Sequence, residues 1–194
     1  MGFSVHTGWA AMVAVARRGG ALVVVDRRRV EMLPVPEAPR YEPPFVFHAA
    51  QELSLDAAEH LVHATEQRAR SGALEAIGAA LEGIRTAGHE VVGASVITGK
   101  TAPTTSLAAI LRSHAAIHAA EGELYRSVIR CASEDLGLPV LQVPAPELVP
   151  RAASALELGR GEVPGFVTDL GRALGPPWTA DHKAAALAAI LVLG

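Results

Sequence analysis

Three side chains in the middle of the chain have types and spacing suited to chemistry: His114, His118 and Glu121. At intervals of four and seven residues they fall on one face of a helix. Two imidazoles and a carboxylate on one stripe can bind a divalent metal or work as an acid–base pair. The pair lacks the glutamate directly after the first histidine that zinc hydrolases use to activate water. A packed, neutral histidine pair at a helix–helix or subunit interface is the structural alternative. Glu123 and Arg126 follow at helical spacing and predict a surface ion pair, whereas Arg112, Glu121 and Arg126 together would line a cleft.

A second group lies near the two ends of the chain. His6 stands directly before the first apolar run, Thr7–Ala16, and Asp181 opens the last helical run after Gly175-Pro176-Pro177-Trp178-Thr179. Thr179 is the expected N-cap and Trp178 its apolar staple. Asp181 there suits the helix dipole without any further role; the functional reading has it facing His6 and the His114 helix. Gly99-Lys100-Thr101 lies between a strand and a helix, where an anion can meet free backbone N–H groups, with Arg112 nearby. A full phosphate loop is absent, because Ala94 occupies the position of its first glycine. The run Arg27-Arg28-Arg29 has no interleaved aromatics and reads as a solvated hairpin turn.

The elements that must position these residues follow from apolar runs and breakers. Thr7–Ala16, Ala21–Asp26 and Arg29–Leu33 read as an antiparallel three-stranded meander. Pro34–Pro44 holds five of the thirteen prolines and reads as an extended connection, pinned by Tyr41, Phe45 and Phe47. Ser54 caps a helix to about Ala87, which Gly72 could bend or divide. Val91–Thr98 and Leu138–Val143 read as strands covered on both faces. A long helix, Ser106–Leu136, lies between them. Helices over Ala145–Leu158, Val163–Leu174 and Thr179–Leu193 complete the chain. The expected fold class is α/β: a five-stranded mixed sheet, with the meander beside two parallel strands, flanked by long helices in a single domain over residues 1–194.

Composition bounds the function. The chain has 194 residues, 50% of them hydrophobic, with 37 alanines, and a net charge of −3. Many alanines and few large side chains predict closely packed helices, with a homodimer through them as one outcome. The charge gives no support to a nucleic-acid partner. One cysteine, Cys131, excludes a disulfide framework and a multi-cysteine zinc site. No membrane-length apolar run and no basic, apolar leader is found, so a cytoplasmic location is expected.

This element order is similar to that of the ribonuclease-H-like superfamily over roughly residues 5–193, and most similar to its RuvC-type, Holliday-junction-resolvase branch. The segments Ser106–Arg126 and Leu174–Leu193 also resemble those of a bacterial family of small proteins. The superfamily resemblance implies carboxylates on the first strand, the fourth strand and a late helix, holding two divalent metals. Thr7–Ala16 and Val91–Thr98 contain no Asp or Glu, and His6-Thr7-Gly8 stands where an acid followed by glycine is expected. Asp181 alone remains. Two expectations follow. One is a fold member without nuclease chemistry, serving as an interaction or scaffold protein. The other is a metal-dependent nuclease or nucleotide-processing enzyme with a remodelled site built from His6, His114, His118, Glu121 and Asp181.

Overall fold

The computed structural model describes residues 1–33, 45–99 and 106–194. Tyr41, Lys100 and Thr101, with the expectations attached to them, lie outside the described residues. Five strands form one mixed sheet in the order β3-β2-β1-β4-β5, with β1 at its centre. Strands β1 (Gly2–His6), β2 (Trp9–Arg18) and β3 (Ala21–Glu31) are antiparallel neighbours, while β4 (Ala94–Thr98) runs parallel to β1 and β5 (Val140–Pro144) parallel to β4. The expected α/β architecture is present.

Two strand assignments need correction. The first strand is Gly2–His6, which turns at Thr7-Gly8, where Gly8 takes a φ of 81°, and the run Thr7–Ala16 belongs to the second. The segments Ala21–Asp26 and Arg29–Leu33 are one strand, β3, so Arg27-Arg28-Arg29 is not a hairpin turn. An edge strand can carry such charges because alternate side chains leave the sheet on opposite faces and its outer rim meets water.

Helices cover both faces. On one lie α2 (Leu55–Thr86) and α4 (His114–Asp135), which enclose the main core around Phe3, Met12, Ile77, Tyr125 and Ile129. On the other lie α5 (Ala145–Leu156), α6 (Val163–Leu170) and α7 (Ala180–Ile190), packed on Val13, Val15 and Val143. Helix α2 is continuous through Gly72. The missing side chain there admits β3's exit instead, since a Cβ would stand 2.3 Å from the Met32 carbonyl oxygen. Gly2 plays the same part on the other face, where a Cβ would stand 2.1 Å from the Ala185 carbonyl oxygen of α7.

The helix expected over Ser106–Leu136 is broken. A short α3 (Leu107–Leu111) ends at Arg112, and Ser113 starts α4 afresh by accepting a hydrogen bond from the Ala116 amide. A further short helix, α1 (Val46–Ala50), follows the proline-rich segment and is not foreseen by the sequence patterning. Its Val46 and Phe47 pack with Ile117 and Ala120 of α4 in a small satellite core, while Phe45 is exposed. Among the described residues, no helix is long and apolar enough to cross a membrane.

Candidate functional site

The carboxyl ends of β1 and β4, where open α/β sheets tend to place ligands, carry the first group. Alternation along β1 sends Gly2, Ser4 and His6 to the α7 face and Phe3 to the α4 face. Helix α7 begins directly over His6. Thr179 caps it, accepting from the His182 amide, and the His182 ring nitrogen Nδ1 accepts from the Thr179 amide at 3.1 Å, so a histidine completes the capping box. This cap fixes Asp181 in the first turn, 2.7 Å from His6 Nε2, with the Ser4 hydroxyl donating to the same oxygen at 3.3 Å. Trp178 packs over the first turn of α7, its ring parallel to that of His182 at 5.9 Å. It donates from Nε1 to the Val167 carbonyl at 2.9 Å and lies where a side chain on Gly171 would stand.

Across the sheet from His6, the same face continues through Trp9 to Arg29. The His6 and Trp9 rings stack at 4.3 Å with planes 12° apart, and the Arg29 guanidinium lies 3.8 Å from the centre of the Trp9 ring. Arg29 also pairs with Glu31. Arg27 donates to the carbonyls of Gly175 and Pro177 at 3.0 and 2.5 Å, tying β3 to the turn before α7. Trp9, Arg27 and Arg29, with Asp181 and His182, line a cleft of about 360 Å³. Burial, together with the Arg27 charge, holds the His182 imidazole below its ordinary pKa, against the pull of Asp181. The neutral ring is also the form whose Nδ1 can accept the Thr179 N–H.

The second group lies on the opposite face, at the start of α4. His114 and His118 meet at 3.0 Å between their Nε2 atoms. Glu121 does not join them as a third ligand. Its side chain turns inward, 3% exposed as a residue, and Oε1 accepts from the Phe47 amide at 2.8 Å and from the His48 amide at 3.3 Å. The same oxygen lies 3.3 Å from His48 Nδ1. Burial raises the pKa of the Glu121 carboxyl, while the hydrogen bonds from His48 and Phe47 pull it down. The third imidazole of the cluster is therefore His48: one ring nitrogen from each of His48, His114 and His118 lies within 4.8 Å of the others.

The five residues expected to share one site thus divide between two. His6 and Asp181 meet as expected, but the His114 helix packs behind the sheet from them. The Glu123–Arg126 pair forms, at 3.1 Å. Arg126 lies across the end of β4 beside Gly99 and Gly122, and Arg112 is an exposed C-cap of α3. Sequence reasoning passes over His48 and Trp9. His48 follows a proline-rich segment with no helical period to place it, and Trp9 meets His6 only through pairing with Gly2–His6, a strand the apolar runs do not announce.

No family model matches the chain, and no curated protein matches it in sequence. Among solved structures, that of RuvC from Thermus thermophilus is similar, with a TM-score of 0.51 and 15% identity over 98% of this chain and 90% of that one. The likeness is one of fold: the five-stranded mixed sheet and its flanking helices are arranged as in that structure.

Proposed function

We propose that this chain is a divergent ribonuclease-H-like protein that serves as an interaction or scaffold protein and does not run two-metal nuclease chemistry. The observation that carries this reading is the state of Asp181. Among the described residues of β1, β4 and the first turn of α7 it is the only carboxylate, and its Oδ1 is already engaged by His6 and Ser4. A two-metal site needs several oxygen ligands bridging both ions. Arg27, Arg29 and Trp9 beside Asp181 instead favour a flat or anionic group of a binding partner. Ala185, Ala186, Ala188 and Ala189 of α7 are buried against the chain's own sheet, so they are not offered to a second copy of the chain; sedimentation velocity reads the oligomeric state directly.

The test is incubation of the purified protein with branched, duplex and single-stranded DNA in Mg²⁺ or Mn²⁺. Product no greater than that of the Asp181→Ala variant is expected; cleavage that disappears in that variant overturns the reading. The clustering of His48, His114 and His118 favours a second reading, a metal-dependent enzyme whose centre lies on the α4 face. Hydrolysis of nucleotides or DNA that requires added Zn²⁺ and is lost in His118→Ala would support it.

A further inference from the structure

We propose that His48, His114 and His118 form a binding site for a divalent transition-metal ion of the zinc class, with Glu121 as the residue that positions His48. The site is argued from its own geometry and does not depend on the interaction reading above. Three imidazoles present nitrogen donors of borderline softness, which suit zinc, cobalt or nickel and disfavour magnesium or calcium. Ligand nitrogens about 2.0–2.1 Å from a tetrahedral zinc stand roughly 3.3 Å from one another. The His114–His118 separation of 3.0 Å is close to that value, and all three donors gather within 4.8 Å. The rings are already in edge-to-face contact, with His48 centred 5.6 Å from His114 and 4.8 Å from His118.

Two features distinguish this cluster from exposed histidines that happen to be neighbours. First, the donors come from two elements locked together. The i, i+4 pair is carried by α4, whose N-cap is satisfied by Ser113, and His48 is carried by α1, which the Val46, Phe47, Ile117 and Ala120 core holds against α4. Second, the one ring nitrogen of His48 turned inward faces a buried carboxylate. Glu121 Oε1 at 3.3 Å from Nδ1 places the proton on that nitrogen and leaves Nε2 with a free lone pair. A carboxylate–histidine pair of this kind orients a metal-bound imidazole and raises its basicity. The same carboxylate oxygen takes two backbone amides of α1, so it fixes the helix and the ring together. With three protein donors, a fourth coordination position faces solvent on the exposed side of His114 and His118.

The experiment titrates chelator-treated full-length protein with Zn²⁺ by calorimetry and with Co²⁺ by visible absorption, with Mg²⁺ as the hard-ion comparison. One equivalent of Zn²⁺, cobalt d–d bands of tetrahedral type and no Mg²⁺ binding are expected. Replacing His48, His114 or His118 singly by Ala is expected to lower zinc affinity by more than about 100-fold, since loss of an outer-shell partner alone costs about 10–100-fold. Glu121→Gln should fall within that 10–100-fold range, and His89→Ala, beyond the far end of α2, should leave affinity unchanged. Circular dichroism and thermal unfolding of each variant separate loss of the site from loss of the fold. Zinc affinity that is equal in wild type and in the His114→Ala, His118→Ala double variant, no zinc binding at all, or equal binding of Mg²⁺ and Zn²⁺ overturns the proposal.

Discussion

Replacing Gly72 by Ala inverts the effect that the same substitution has elsewhere on the same helix. Both Gly72 and Gly78 lie inside α2, where Gly→Ala on its own stabilises a helix by about 1 kcal/mol. At Gly78 an added Cβ meets only a Leu136 methyl at 4.0 Å, so the full gain is expected. At Gly72 it meets the Met32 carbonyl oxygen at 2.3 Å and its carbon at 3.0 Å, about 1 Å inside ordinary contact. Because the opposing atoms are backbone, no rotamer change relieves the overlap. Overpacking of this kind costs about 1–3 kcal/mol, and the upper half of that range applies when a helix must move off a strand. The net expectation is a loss of about 1–2 kcal/mol for Gly72→Ala against a gain of about 1 kcal/mol for Gly78→Ala. For a domain of this size each kcal/mol shifts Tm by about 2–4 °C. Thermal and urea unfolding should therefore move in opposite directions for the two variants. A Gly72→Ala protein as stable as Gly78→Ala would refute the close approach of α2 to the end of β3.

Three further outcomes follow from the sites. Glu121→Ala leaves the Phe47 and His48 amides without their acceptor and should cost about 2–4 kcal/mol in urea unfolding, with Glu121→Gln costing less because it keeps an oxygen there. His6→Ala should change stability by less than about 1 kcal/mol, because its contact with Asp181 is partly exposed and screened; a larger loss in calorimetry would make the pair structural. His182 has a folded pKa below its unfolded value, so the unfolded state binds more protons between the two. Stability should fall as pH drops below about 6.5 through the folded pKa, and His182→Gln should flatten that part of the profile of Tm against pH.

The sheet's class could be read from the sequence because β4 and β5 are short apolar runs between long helical stretches, and connections between them must cross over. The registers of the meander could not. Gly2–His6 is too short and too mixed to announce itself, since it gives alternate residues to two different helical layers, and β3 carries three arginines through an edge position. The helix N-caps Ser54 and Thr179 were legible because a hydroxyl before a helical run has a local partner. The meeting of His6 and Asp181 was legible only through the family resemblance, which sets an acid at the start of the last helix near the beginning of the chain; the strand that carries His6 was not. His48 and the inward turn of Glu121 were not legible, because both depend on α1 docking against α4, a contact between segments 73 and 74 residues apart. On α4 alone, Glu121 shares a face with the histidines; it is the arrival of two unpaired amides from α1 that draws its carboxylate inward.

The proposal that the sheet edge around Asp181 does not hold a pair of hard divalent ions is tested most directly by Mn²⁺ titration followed by electron paramagnetic resonance. The spectrum of free Mn²⁺ should persist at full intensity in the presence of the wild-type protein, and Asp181→Ala should give the same curve. Uptake of two Mn²⁺ per chain that is abolished by Asp181→Ala would contradict the account.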